Sequence, residues 1–312
     1  MKKKFLYESV KIAISLFLLY AIFTKIDITS VIAIGRTADM RLITVSLALL
    51  FIAWTVAAAK WYLLLPKIVS LGFWKVFTYT LIGATYTVLL PGGQIFGEVG
   101  KYAHISDERG IGKKVFLISI ILDKILGLCA LIGIGFLALL SQKSVPGVFL
   151  RIYAMLSLIA FIGIAVLLLI SRMRNKIQLE IARTFRIILS LALSFLYQLC
   201  IGIIVWTLSR TLGMNLSIPS LLWISTAVGI LTALPITYGG LGIREVSFGS
   251  LLSLYAIPSV QSVALSLIIF MLLVFGSLPG LFLIFRDFVK ARSSHVLTDR
   301  PTALIKKHDA LK

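Results

Sequence analysis

The chain repeatedly presents stretches of about twenty apolar residues, each long enough to cross the hydrocarbon of a bilayer, and nothing constrains its fold more. Six runs qualify, at about 8–26, 42–64, 115–140, 148–170, 187–209 and 259–285. Apolar residues make up 59% of the 312 positions and charged ones only 14%, too few to clothe a water-soluble domain of this size. Lys2, Lys3 and Lys4 precede the first run, and no small-residue cleavage site follows it. The run is therefore expected to stay as a span rather than leave as a signal peptide. The segments between runs are short, so no soluble catalytic domain is expected among them.

Two further apolar stretches are interrupted. One runs from Trp74 to Leu90 and breaks at Pro91-Gly92-Gly93; the other runs from Ile218 to Leu234 and breaks at Pro235, with Gly239, Gly240 and Gly242 behind it. Proline removes a helical hydrogen bond and glycine weakens helix further. Inside a membrane such breaks survive only when packed in protein or facing a watery cavity. Both segments are read as re-entrant broken-helix hairpins, near 74–106 and 218–256. The predicted fold class is an all-α membrane protein of about six transmembrane helices plus these two hairpins.

Charge placement supports that topology. With a cytoplasmic N-terminus, only Lys25, Arg36, Arg41, Lys143, Arg151 and Arg210 fall on the outer side, and Lys124 and Arg244 fall within the apolar zone. The remaining lysines and arginines, Lys60, Lys101 and Lys113 among them, lie on the cytoplasmic side, as the positive-inside rule expects. Making the first hairpin a full span would spoil that bias. Both termini are thus expected in the cytoplasm of a multi-pass protein of the cell (inner) membrane. The order span, span, hairpin, span occurs twice, and Pro91 and Pro235 lie 144 residues apart. An odd number of spans per copy inverts the second, an arrangement known from secondary transporters. Residues 1–146 and 147–290 are read as two inverted membrane repeats, and 291–312 as a basic cytoplasmic tail.

A helix starting behind the glycines would present unpaired amides and a positive dipole end, a seat for phosphate or carboxylate. Glu98, Arg244 and Glu245 stand beside these breaks, and Arg244 could grip a phosphate with its planar fork. Intramembrane charges need partners, so Arg244 could instead pair with Glu98 across the repeat axis and lock the hairpins together. Arg244 and Glu245, being adjacent, are expected to point apart on a helix. Asp123 and Lys124 share one span and are read first as structural. Lys101 and Arg109 are read as interfacial, as are Trp54, Trp61 and Trp74.

Other chemistries find little support. The net charge of +19 is spread between apolar runs, which points to lipid head groups rather than nucleic acid. His104, His295 and His308 are scattered, so no metal site is expected, and no dinucleotide site or other cofactor follows from the glycines. Cys129 and Cys200 sit in apolar runs as packing residues.

The segment Ala233-Leu-Pro-Ile-Thr-Tyr-Gly-Gly-Leu-Gly-Ile-Arg-Glu245 resembles the second signature of the lysylphosphatidylglycerol synthase transmembrane-region family, the flippase-like domain proteins. Leu90-Pro91-Gly92-Gly93 with Gly97-Glu98 resembles the first, and Asp123-Lys124-Ile125-Leu126-Gly127 a following element with lysine in place of arginine. The resemblance extends over about residues 5–290 and implies a membrane domain that handles lipids. It implies substrate-binding positions at Pro91, Gly92, Gly93, Gly97, Glu98, Lys101, Asp123, Lys124, Pro235, Gly239, Gly240, Gly242, Arg244 and Glu245. In bifunctional relatives such a domain precedes a soluble aminoacyl transferase; this chain leaves no room for one, so lysyl transfer is not expected. The expected function is translocation of an anionic phospholipid or polyprenyl-phosphate lipid, with no catalytic residues. The alternatives are a membrane subunit of a lipid or glycolipid biosynthetic enzyme, acting with a partner enzyme, and a non-transporting scaffold.

Overall fold

The computed structural model describes residues 20, 24, 28–36, 38–66, 71–90, 93–106, 108, 111–143, 145–177, 184–233, 240 and 242–298. They form the helices α1 (Ile28–Arg36), α2 (Met40–Leu64), α3 (Phe73–Leu89), α4 (Gln94–Ile105), α5 (Lys113–Leu139), α6 (Gly147–Ile177), α7 (Thr184–Thr211), α8 (Ile218–Ala233), α9 (Ile243–Ser253) and α10 (Ser259–Thr298). The described residues contain no strand. Five helices hold stretches long and apolar enough to cross a membrane: Met40–Leu64, Lys113–Leu139, Gly147–Leu169, Thr184–Thr211 and Ser259–Val289. The predicted first span at 8–26 lies outside the described residues apart from Tyr20 and Thr24, as do Pro91, Gly92, Arg109, Pro235 and Gly239. The last helix continues beyond 285, the predicted end of its apolar run, to Thr298.

The interrupted segments break where the sequence places the breaks. α3 ends at Leu89 and α4 starts at Gln94; α8 ends at Ala233 and α9 starts at Ile243. At 1.5 Å per residue, α4 and α9 are only about 18 and 17 Å long, well short of the roughly 30 Å of bilayer hydrocarbon. Each hairpin closes at its base. Lys75, at the start of α3, pairs with Glu108, just beyond α4, at 2.9 Å, and the Tyr79 hydroxyl donates to the same carboxylate at 2.8 Å. In the second hairpin the Trp223 indole N–H donates to the Tyr255 hydroxyl at 2.7 Å, joining α8 to the residues after α9. Tyr255 and Ser220 both donate to the Gln142 side-chain carbonyl.

These clasps fix the orientation of the hairpins. Glu108 lies just before the start of α5, and Gln142 just after its end. The bases therefore sit at opposite ends of a helix about 40 Å long, and the tips point toward each other. Packing follows the same plan. α2 lies against α7, α10 against α3, α5 against α8, α2 against α3 and α7 against α8. The central buried cluster joins α2, α5, α7, α8 and α10 through residues such as Leu50, Leu208, Leu221, Trp223 and Leu265. Large apolar side chains stay exposed on α6 and α10, Phe161, Phe275 and Phe282 among them, which suits hydrocarbon surroundings.

Two tryptophans correct the interfacial reading: Trp54 and Trp61 are buried, and only Trp74 is exposed. Within the first hairpin α3 and α4 approach closely because Gly97 has no side chain. A Cβ there would lie 2.0 Å from Thr87 Oγ1 and 2.8 Å from the Gly83 carbonyl oxygen. The carbonyl cannot move aside as a rotamer can. Gly97→Ala is expected to cost about 1–3 kcal/mol, whereas Gly249→Ala on α9, with nothing within 4 Å, should be neutral or slightly stabilising. Thermal unfolding in detergent micelles checks the contrast; equal melting points for the two variants would contradict it.

The basal clasp gives a pH signature. The hydrogen bond from Lys75, against the opposing effect of burial and helped by Tyr79, holds the Glu108 carboxyl below its ordinary range. A lowered carboxylate contributes stability that is present above its unfolded-chain value and lost as pH falls through the folded value. With the Lys75 side chain 61% exposed, the contribution is on the order of 0.2–1 kcal/mol. Glu108→Gln should remove this acid-dependent part of the melting curve and leave the rest unchanged.

Candidate functional site

The two hairpin tips meet at a cavity of about 700 Å³. Gly93, Gln94 and Glu98 contribute from the first hairpin, Thr232, Gly240 and Arg244 from the second, and Lys113 and Lys124 from α5. Apolar side chains, including Phe116, Ile120, Ile269 and Leu273, supply most of the remaining wall. Lys113 is the first residue of α5 and Lys124 lies eleven residues on, about 16 Å deeper. The cavity thus extends from one end of α5 to near its middle. The lining residues Ile95, Val99 and Leu117 are largely exposed, so the cavity also faces the bilayer sideways.

The glycines at the tips make the turns possible. Gly93 has φ 54° and Gly242 has φ 85°, left-handed conformations that strain any residue with a Cβ. Each directly precedes its helix, so α4 and α9 begin at the cavity. The expectation of two equivalent anion seats needs correction at α9. Glu245 turns back, and its Oε2 accepts from the Gly242 N–H at 2.7 Å, while the Arg244 N–H bonds to the Gly240 carbonyl. A carboxylate of the protein itself already occupies that helix start.

The charged pairs also differ from the expected ones. Arg244 does not reach Glu98 across the repeat axis. Its Nη2 and Nε donate to Glu245 Oε1 at 2.8 and 3.3 Å, and Nε also donates to Ser266 Oγ on α10 at 2.8 Å. Adjacent on the helix, the two side chains nonetheless converge, because Glu245 folds back to cap its own helix and Arg244 curls over it. Ser266 donates to the same Glu245 oxygen, and the Arg244 guanidinium lies 5.3 Å from the Phe270 ring centre. Glu245 has no exposed side-chain surface and does not face the cavity.

Glu98 instead bridges two lysines. Its Oε1 pairs with Lys124 and its Oε2 with Lys101, each at 2.8 Å. Lys101 is buried, not interfacial, and its ammonium sits 4.2 Å from the centre of the Trp61 ring. Asp123 points away from the cavity and pairs with Lys60 of α2 at 2.8 Å, next to Tyr197 of α7. Lys60 was placed at the cytoplasmic surface by its position near the end of an apolar run, yet it is buried. An unmatched Asp123 in the next apolar run was the signal that could have located it.

Of the residues singled out from the sequence, Gly93, Glu98, Lys124, Gly240 and Arg244 line the cavity. Gly97, Lys101, Asp123, Gly242 and Glu245 stand behind them as packing or ion-pair residues. Sequence reasoning missed Lys113, Gln94 and Thr232 on the wall, and Ser266 behind it. Cys129 and Cys200 are free and buried, as expected of packing residues. The described residues hold no group of histidine, cysteine, aspartate and glutamate side chains fit for a metal ion.

Two opposed hairpins meeting at a charged cavity within a bundle of apolar spans define a polytopic α-helical membrane protein with an internal polar site. The profile of the family described as lysylphosphatidylglycerol synthase TM region matches residues 9–280, and the chain belongs to that family. No curated protein matches the chain.

The bonds around Arg244 make a separable prediction. Removing one partner of a buried pair typically costs about 3–5 kcal/mol, whereas replacing both by apolar groups can be nearly neutral. Arg244→Leu alone should lower the melting temperature strongly, and Arg244→Leu with Glu245→Leu should recover much of the loss. A double variant as unstable as the single one would show that the pair itself holds the tip in place.

Proposed function

We propose that the protein is a translocase for an anionic lipid, a phospholipid or a polyprenyl phosphate, and not an enzyme. One observation carries the reading: an apolar-walled cavity of about 700 Å³ reaches the middle of the α5 span and places Lys124 and Arg244 on its wall. An anionic head group moving inward would exchange water for these charges, while its chains stay in hydrocarbon beside Ile95, Val99 and Leu117. Lys124 suits the exchange, because its side chain is 45% exposed although it is paired with Glu98. Two hairpins of opposite orientation allow the cavity to open first to one face and then to the other as the halves rock. The lysine and arginine distribution orients the open face, and both chain ends, toward the cytoplasm of the cell membrane. Residues 1–146 and 147–290 act as the two moving halves, and a partner enzyme of lipid or glycan synthesis would supply or consume the lipid.

The test is leaflet exchange in proteoliposomes, using fluorescent anionic phospholipids and a fluorescent polyprenyl phosphate. The native protein should accelerate exchange of at least one of them. Lys124→Gln should slow it about tenfold or more, consistent with losing one charge-assisted bond of roughly 1.5–3 kcal/mol, while melting like the native protein. Exchange that Lys124→Gln leaves unchanged would overturn the site. The absence of exchange of any lipid by well-folded native protein would favour a subunit of a biosynthetic enzyme or a scaffold.

A further inference from the structure

We infer that the cavity selects a lipid whose head is a terminal phosphate monoester, a dianion, over phosphodiester and amine-bearing head groups; this rests on the lipid-handling reading of the same site. The charge balance of the cavity carries the inference. Glu98, Lys113, Lys124 and Arg244 line it, with Lys101 and Glu245 paired directly behind. Four cations against two anions leave an excess of two positive charges along the cavity, one among the inner residues and one at Lys113, by its exposed end. The inner charge is costly while unmatched, and a ligand entering past Lys113 with two negative charges offsets both. A phosphate monoester carries a charge of roughly −1.5 to −2 near neutral pH, whereas a phosphodiester carries one.

The acceptors point the same way. Each Glu98 oxygen lies 2.8 Å from a lysine ammonium, with Oε2 buried, and both Glu245 oxygens are held, by Arg244, Ser266 and the Gly242 amide. An ammonium-bearing head would therefore meet lysines and an arginine, with every carboxylate oxygen beside a cation or sealed from the cavity. The donors, by contrast, exceed their partners. Arg244 uses Nε and one Nη2 hydrogen on Glu245 and Ser266, so the two hydrogens of Nη1 and one of Nη2 remain from its five. Lys124 commits one of its three hydrogens to Glu98. A monoester offers three terminal oxygens to such a set, a diester only two.

The measurement is binding of short-chain lipids to the full-length protein in detergent, by calorimetry and by thermal stabilisation. The panel is farnesyl phosphate, a dihexanoyl phosphatidic acid, the chain-matched phosphatidylglycerol and phosphatidylcholine, and a lysyl ester of that phosphatidylglycerol. At least one monoester should bind about tenfold or more tightly than the diesters, a difference of about 1.4 kcal/mol, with the lysyl ester weakest. Preference between the two monoesters tells whether the natural lipid is of the prenyl or the diacyl type. Lys124→Gln should weaken monoester binding about tenfold. Glu98→Gln, which releases Lys124 and adds positive charge, should leave it equal or tighter. A folded Glu98→Gln protein that loses monoester binding, or equal or tighter binding of the lysyl ester or phosphatidylglycerol, would overturn the inference. Because binding is read without leaflet exchange, the two readings fail separately: phosphatidylglycerol exchange without monoester preference would sink only this one. Monoester binding without exchange would sink only the translocase.

Discussion

A helix that stops inside a bilayer leaves backbone amides and carbonyls where no water can reach them, and the architecture of this protein is organised around that problem. Four such ends occur, at Leu89, Gln94, Ala233 and Ile243. They are sheltered by bringing the two hairpin tips together in the middle of the bundle, enclosed by α5 and α10, whose side chains contribute to the cavity wall. Sheltering the tips in turn requires the bases to be pinned at opposite ends of α5. The Lys75–Glu108–Tyr79 and Trp223–Tyr255–Gln142 clasps do this. The cavity is thus a product of the same geometry that protects the broken backbone, since tips that meet end to end cannot fill the space between them as straight helices would.

Much of this is legible in the residues. Apolar runs located the described spans, and Pro91 and Pro235 with their glycines located the breaks, because helix termination is a local property of the chain. Cavity-lining Glu98, Lys124 and Arg244 could be selected because ionised groups in apolar sequence need a reason. Pairing was not legible. Whether Arg244 bonds to Glu98 or to Glu245 depends on how Glu245 folds back to cap α9 and on Ser266, twenty-two residues away on another helix. Lys60 and Lys101 looked interfacial because a lysine near the end of an apolar run ordinarily reaches the surface. Here Asp123 and Glu98 draw them inward. The depth of a charge is decided by a partner on a different helix, and one-dimensional spacing does not contain that information.

The two hairpins solve the charge problem differently. In the second hairpin, bonds among Arg244, Glu245, Ser266 and the Gly242 amide hold α9 along α10. Glu245 is sealed from the cavity, so no ligand can compete for it. In the first, α4 stands farther from α5, and side chains join them, Tyr102 against Phe116 and Glu98 against Lys124. Lys124 is partly exposed to the cavity, and Glu98 keeps a second lysine on its own helix when Lys124 is taken. Under the proposed translocation, an arriving anion would replace Glu98 on Lys124 without stranding a bare carboxylate in the membrane. That exchange, under the proposed translocation, would loosen the α4–α5 junction while leaving the bonds between α9 and α10 in place.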